Sequence, residues 1–248
     1  MVPMRKRADL LLVERGIFQT RAQAQAAIAA GKVRAAGRAV AKPAELLAAD
    51  APIEAAPAHP YVSRGGVKLA HALDAFAIDP AGLACLDVGA STGGFTDVLL
   101  ARGAASVVAV DVGHDQLDPR LAADPRVRSL EGCDVRTLSP AALPALPALA
   151  DLVVIDVSFV PLGRVLPAAL VLAAPRAVLV ALVKPQFEVG RARLGKGGVV
   201  RDPALHEEVC QAAEAAVRAE GWHVLGTMPS PITGGDGNRE YLLSARRG

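Results

Sequence analysis

Aromatic side chains make up only 3% of the 248 residues. That scarcity excludes a single-strand binder built on stacking platforms and requires an aliphatic core, for which 52% hydrophobic content is ample. Cysteine is as thin. Cys85, Cys133 and Cys210 are far apart with no C-x-x-C pair, and the five histidines form no ligand-spaced cluster. This argues against a disulfide framework and against structural zinc or another metal site, and for a reducing compartment. Long apolar runs are also missing: after the basic stretch Met1 to Arg7, the hydrophobic pattern is broken by Asp9, Glu14 and Arg15. Neither a signal peptide nor a membrane span is expected, so the expected location is cytoplasmic, with no membrane partner.

What is present is organised around Leu83-Ala-Cys-Leu-Asp-Val-Gly-Ala-Ser-Thr-Gly-Gly-Phe-Thr-Asp97. Ala84 to Val88 has the length and apolarity of a buried parallel strand. Gly89, Gly93 and Gly94 allow a tight turn, and helical spacing restarts at Phe95 and runs to Arg102. A dinucleotide fingerprint would need glycine at Ser91, and Asp87 brings a carboxylate to where a pyrophosphate would lie. A cationic ligand with no phosphate, such as S-adenosylmethionine, suits this turn better. The alternative is an ordinary strand-to-helix turn in which Gly-Gly relieves crowding.

Further strands are expected at Ser106 to Asp111, Arg126 to Glu131, Asp151 to Phe159, Ala177 to Glu188, Trp222 to Thr227 and Glu240 to Ser244, with helices at Val160 to Ala173 and Pro203 to Glu220. Asp111 closes its strand 24 residues after Asp87, the place from which an acid takes ribose hydroxyls in nucleoside-binding α/β folds. Asp134 either accepts an adenine amino group or caps its loop. The Pro/Ala/Leu tract from Pro140 to Leu149 reads as a helix-poor connection. Asp156 and Lys184 stand at carboxyl ends of strands, Lys68 near the first turn of a helix through Leu69, Leu73 and Phe76, and Glu240 at the opening of the last strand. A doubly wound sheet can gather these four into one cleft. The glycine-rich loop from Glu188 to Arg201 carries Arg191, Arg193, Lys196 and Arg201 and reads as either loose surface or a phosphate clamp.

Charge is uneven. Residues 1 to 40 hold eight Lys/Arg against two Asp/Glu, a net +6, so the remainder is 2 − 6 = −4. That asymmetry points to an anionic partner at the front. There a short helix from Arg7 ends at Gly16, a second is capped by Thr20 and ends at Gly31, and Lys32-Val33-Arg34 reads as a strand; Ile53-Glu54 adds a possible last one. The order G-I-F-x-T-R-x-x-A-x-x-x-I-x-x-G-K-V resembles the S4 RNA-binding domain. That resemblance implies an RNA-binding domain and linker over residues 1–60, with Arg5, Lys6, Arg7, Arg21, Lys32 and Arg34 toward RNA, beside Arg191, Arg193 and Lys196 of the later loop.

Residues 61–248 carry D-V-G-A-S-T-G-G-F, L-V-K-P-Q-F-E and G-N-R-E-Y, which resemble the FtsJ-like ribosomal RNA 2′-O-methyltransferases. With Y-V-S-R-G-G-V-K-L and the S4-like front, the similarity is to the TlyA family, also labelled hemolysin A, over essentially the whole chain. The resemblance implies a Rossmann-like methyltransferase domain with a seven-stranded, mostly parallel sheet. It also implies methyl transfer from S-adenosylmethionine to a ribose of ribosomal RNA, naked or in a subunit, with Lys68, Asp156, Lys184 and Glu240 as the catalytic tetrad. The cofactor then falls to Asp87, Gly89, Ser91, Gly93, Gly94, Phe95, Asp111 and Asp134. Family members that modify both subunits usually carry a longer C-terminal tail, so large-subunit (23S) RNA is the expected substrate. A ribose hydroxyl is a poor nucleophile that needs a base, and Lys184 is the residue for it, beside Lys68. The competing readings are a non-catalytic RNA-binding assembly factor, a membrane-active hemolysin and a pseudouridine synthase.

Overall fold

A computed structural model describes residues 4–140 and 149–248. All but the ends of the Pro140 to Leu149 tract therefore lies outside the described residues. The chain divides into two compact units, Met1–Pro60 and Tyr61–Gly248.

The first unit runs β1 (Arg5–Arg7), α1 (Ala8–Glu14), α2 (Arg21–Ala29), β2 (Val33–Ala35), β3 (Arg38–Ala39), β4 (Leu46–Ala48) and β5 (Ile53–Ala55). Thr20 starts α2 with a capping box: its hydroxyl accepts from Gln23 N at 3.2 Å while Gln23 Oε1 accepts from Thr20 N at 3.3 Å. Ala36 and Gly37 both have positive φ, the two-residue turn whose twist suits a hairpin between β2 and β3. Leu11, Leu12, Ala24, Ile28 and Val33 make a small aliphatic core. β1 was not expected. Three consecutive basic residues have no apolar alternation, and they form a strand because their backbone pairs with β4.

The second unit runs α3 (Gly65–Ala75), β6 (Ala84–Val88), α4 (Gly94–Ala101), β7 (Ser106–Val110), α5 (Pro119–Ala122), β8 (Val127–Leu130), β9 (Ala150–Ile155), α6 (Leu166–Val171), β10 (Ala173–Val183), α7 (Pro185–Glu188), α8 (Pro203–Ala219), β11 (Trp222–Pro229) and β12 (Tyr241–Arg247). Its seven-stranded sheet has the order β8-β7-β6-β9-β10-β12-β11. Pairing is parallel from β8 to β10, and β12 is antiparallel to both of its neighbours. Only β12 is therefore reversed, and the expected mostly parallel α/β architecture is found. Alternation along the strands feeds two cores: Leu86, Val153, Leu179 and Leu243 meet the α6 and α8 side, and Cys85, Leu152, Leu182 and Leu242 meet the α3 and α4 side.

Prolines account for two departures from expectation. Pro167 lies in the first turn of α6, where its missing N–H is harmless, so the segment after Val160 splits into a 3-10 turn at Leu162–Arg164 and a short helix. Pro185 starts α7, so the chain turns helical after Lys184 instead of continuing the strand. Among the described residues no helix is long and apolar enough to cross a membrane, and no group of three or more His, Cys, Asp or Glu could hold a metal ion.

Candidate active site

The neighbours of β6 are β7 and β9, so the winding of the sheet reverses at β6 and opens a crevice beyond the carboxyl ends of its strands. Gly89 leaves β6 with φ +84°, and a Cβ there would stand 2.6 Å from Asp156 O. The two loops can meet this closely only at glycine. Beyond it lies a cavity of about 520 Å³ bordered by Gly89, Ser91, Asp111, Asp134 and Phe159, a size suited to a small organic ligand. Asp111 is fixed by two backbone amides, accepting from Ser91 N at 2.8 Å and Gly113 N at 2.7 Å. Each of its oxygens keeps a further lone pair. Asp134 both borders the cavity and caps a 3-10 turn, accepting from Arg136 N at 2.9 Å. Its ion pair with Arg136 holds its carboxyl below the usual range.

The other residues of the turn divide. Gly94 and Phe95 border a second cavity, described below. Gly93 serves the backbone: it opens α4 with φ +91°, and a Cβ there would meet Leu121 Cδ1 at 2.4 Å. Asp87 needs correction. It is fully buried within β6, takes a 2.7 Å hydrogen bond from Thr96 Oγ1, and borders neither cavity. Burial, with the charges of Asp156 and Asp111 adding to it, pushes its carboxyl up to about 7. It stands behind the wall of the crevice rather than on the ligand-facing surface.

The second cavity, about 290 Å³, shares Gly89, Ser91, Asp156 and Ser158 with the first, and both Lys68 and Lys184 border it. Lys184 Nζ lies 2.6 Å from Asp156 Oδ1, a close ion pair without hydrogen-bond alignment, and donates to Ser158 Oγ at 2.9 Å. Lys68 Nζ donates to Glu240 Oε2. Gln186 Nε2 reaches Glu240 Oε1 at 3.4 Å. Glu240 comes to this edge because β12 is the reversed strand, so the start of β12 lies where the other strands end. The four residues thus assemble from widely separated segments as two lysine–carboxylate pairs, with Lys68, Lys184 and Glu240 all buried. Sequence reasoning missed Ser158, in the loop after β9, and Gln186, in the single turn of α7, neither of which carries a periodic signal. It also missed Val112 and Phe159, exposed by 68% and 90% at the rim of the first cavity. Phe159 has φ +67° and packs its ring 5.1 Å from that of Phe187.

The basic residues expected to face RNA are less free than a charge count suggests. Arg7 and Arg21 both bind the buried Asp9, at 3.0 and 2.9 Å, and Gln25 adds a further hydrogen bond to it. Chiefly through Arg7, these contacts hold the Asp9 carboxyl far below its ordinary range. Lys6 pairs with Glu14, and Arg193 pairs with Glu208. Arg5, Lys32 and Arg34 of the first unit, and Arg191 and Lys196 of the loop before α8, take part in no ion pair among the described residues. Arg34 reaches only the Gly37 carbonyl, at 3.3 Å.

Residues 61–247 match the model of the FtsJ-like methyltransferase family. The chain is 48% identical over 244 residues to the 16S/23S rRNA (cytidine-2′-O)-methyltransferase TlyA of Mycobacterium tuberculosis, covering 98% of this chain and 90% of that protein. It is 36% identical over 183 residues to the 23S rRNA (cytidine-2′-O)-methyltransferase TlyA of Campylobacter jejuni, covering 73% and 69%. A solved structure of a provisionally named hemolysin from Streptococcus thermophilus is 40% identical, with a TM-score of 0.77, over 100% of this chain and 90% of that one. A sheet with one reversed strand, a glycine turn at its switch point and two lysine–carboxylate pairs at its carboxyl edge therefore belong to a chain of the FtsJ-like methyltransferase family, in its TlyA branch.

Proposed function

We propose that the chain transfers a methyl group from S-adenosylmethionine to a ribose 2′-hydroxyl of ribosomal RNA. The observation that carries this reading is the pair of joined cavities: one of a size for a nucleoside, the other bordered by two buried lysines, with Asp156 common to both. Asp111 is suited to take the ribose hydroxyls of the cofactor, Asp134 its adenine amino group, and the backbone at Gly89 and Ser91 to lie against it. Asp111, Asp134 and Asp156 border the first cavity, and Arg136 there is already paired with Asp134, which fits a ligand that carries positive charge and no phosphate. When bound, S-adenosylmethionine supplies a methyl group already activated by its sulfonium.

The protein's part is to hold the 2′-oxygen in line and remove its proton. Lys184, as the neutral amine, accepts that proton on Nζ, and the Asp156 carboxylate 2.6 Å away stabilises the ammonium that results. Ser158 keeps the amine aimed into the cavity. Lys68, fixed by Glu240, places a second donor beside the reacting oxygen. The exposed faces of Phe159 and Val112 give a target base and the adenine apolar surface at the rim. The first unit, whose Arg5, Lys32 and Arg34 take part in no ion pair among the described residues, serves as an RNA anchor, and the basic loop of the second unit adds further cations.

Large-subunit RNA is the substrate common to the names of both TlyA relatives, so 23S RNA is proposed as the target. Radiolabelled methyl transfer to purified 23S RNA, 16S RNA and each subunit tests this. Label in 23S RNA or the large subunit is expected. Label in the small subunit alone would overturn the choice of RNA, and no label in any of them would overturn the reaction.

A further inference from the structure

A third cavity, about 500 Å³, lies at the start of α8. It is bordered by Arg201, His206, Glu207, Arg239 and Tyr241. Tyr241 belongs to the α6 and α8 side of the sheet, whereas Leu242 faces the α3 and α4 side from which Lys68 projects. The cavity and the Lys68–Glu240 pair therefore flank β12 at the same edge of the sheet.

Buried polar groups hold its walls. Asn238, 1% exposed, accepts from Val200 N at 3.0 Å through Oδ1 and donates to Gly198 O at 3.1 Å through Nδ2. The buried His206 donates from Nε2 to Val200 O at 3.0 Å. Its Nδ1 finds no partner among the described residues. Val200 is thus held at both its N–H and its C=O, which joins the end of the basic loop to the segment that delivers Glu240. Tyr241 tilts against the His206 ring at 5.7 Å. Arg193 of the same loop pairs with Glu208, whereas no ion pair among the described residues uses Arg201 or Arg239.

Resting on the reaction proposed above, we infer that this cavity is a subsite for a phosphodiester of the substrate RNA, bound by Arg201 and Arg239. Two guanidiniums without carboxylate partners match phosphate oxygens in charge and in fork geometry. Arg239 and Tyr241 flank Glu240 in sequence, and successive side chains of an extended segment point to opposite faces. An RNA strand with its target ribose against Lys68 and Lys184 crosses the sheet edge and meets this cavity on the far side of β12. Glu207 borders the same cavity and opposes an anion, so the subsite makes predictions of both signs.

The experiment uses the full-length chain and its Arg201→Gln, Arg239→Gln and Glu207→Gln variants, with a ribosomal RNA fragment as probe across a potassium chloride series. S-adenosylmethionine affinity, by calorimetry, serves as the control for folding. Each arginine variant should bind the fragment less tightly, with the slope of log K against log salt shallower by about 0.7 to 0.9 for each phosphate no longer neutralised. Glu207→Gln should bind it more tightly, and all three should keep wild-type cofactor affinity. Arginine variants with unchanged affinity and slope would overturn the subsite. Inorganic phosphate that binds wild type but neither arginine variant, while RNA affinity stays the same in all of them, would overturn it in favour of a free-anion site. These readouts need no turnover. A wild type that shows the predicted slopes but transfers no methyl group would leave the subsite standing and remove the reaction.

Discussion

Lys68–Glu240 and Lys184–Asp156 have the same chemistry but different access to solvent and ligand. The lysines are equally enclosed, each with 9% of its side chain exposed, whereas the carboxylates differ, 4% for Glu240 against 19% for Asp156. Glu240 spends its oxygens on Lys68 and Gln186, while Asp156 borders both cavities and its contact with Lys184 lacks hydrogen-bond alignment. The first pair is a fixed part of the wall. The second faces the space where substrate and cofactor would meet, so its lysine can exchange partners as a proton arrives. Asp87 extends the contrast: it is an acid just behind the same crevice that pairs with no lysine among the described residues, and burial pushes its carboxyl up to about 7.

The largest effect should come from breaking the enclosed pair. Lys68→Ala leaves Glu240 charged and buried and should cost about 3 to 5 kcal/mol of stability. Lys184→Ala leaves an acid that water can reach from the cavity and should cost roughly 1 to 3 kcal/mol. Urea denaturation of the two variants measures the gap, and equal losses would erase the distinction. In catalysis the order reverses in meaning: Lys184→Ala should lower single-turnover methyl transfer by roughly 100-fold, the scale of a lost general base, with cofactor affinity nearly unchanged. Near-normal transfer by that variant would remove Lys184 from the role of base. Next comes Asp111→Ala, which gives up charge-assisted hydrogen bonds to the cofactor ribose and should weaken its binding by about 1.5 to 3 kcal/mol. Calorimetry that finds equal affinity would detach Asp111 from the cofactor.

The smallest effect concerns Asp87. Between about pH 4 and pH 7 the folded chain holds the Asp87 proton and the unfolded chain has lost it, so wild type loses stability as the pH rises through that window. Asp87→Asn removes this dependence. The stability of the variant relative to wild type should therefore improve by at least about 1.4 kcal/mol from pH 5 to pH 8, the free energy of a tenfold difference in proton affinity between the folded and unfolded chains. A constant difference across that range would mean that Asp87 keeps its charge when folded.

The parts of this arrangement legible in the sequence are those that local physics dictates. Parallel strands buried on both faces read as apolar runs, so an acid or lysine ending such a run, as at Asp111, Asp156 and Lys184, marks the carboxyl edge. Glu240 reads as the opening of the last strand, and it reaches the same edge because β12 is reversed. Asp87 shows the limit of that logic. It lies one residue inside β6, where alternation turns it toward Thr96 on α4, and no pattern in a five-residue apolar strand distinguishes a wall from a ligand face. Arg7 and Arg21 show another: Arg7 meets Asp9 locally at the start of α1 and Arg21 meets it only because α2 packs against α1, and a count of charges registers neither. Ser158 and Phe159 owe their positions to loop conformation and Gln186 to the one-turn helix that Pro185 starts, and in each case a single side chain carried no periodicity to read.

The central claim is that a methyl group reaches a ribose oxygen through the cleft at Lys184. A 2′-O-methyl group removes the nucleophile that alkali uses to cleave RNA, so the direct test is alkaline hydrolysis of 23S RNA labelled by the wild-type chain, followed by mass spectrometry. The label should appear in an alkali-resistant dinucleotide methylated on ribose, and that product should be almost absent with Lys184→Ala. Label recovered in mononucleotides methylated on a base, or equal ribose methylation by the Lys184→Ala chain, would contradict the account.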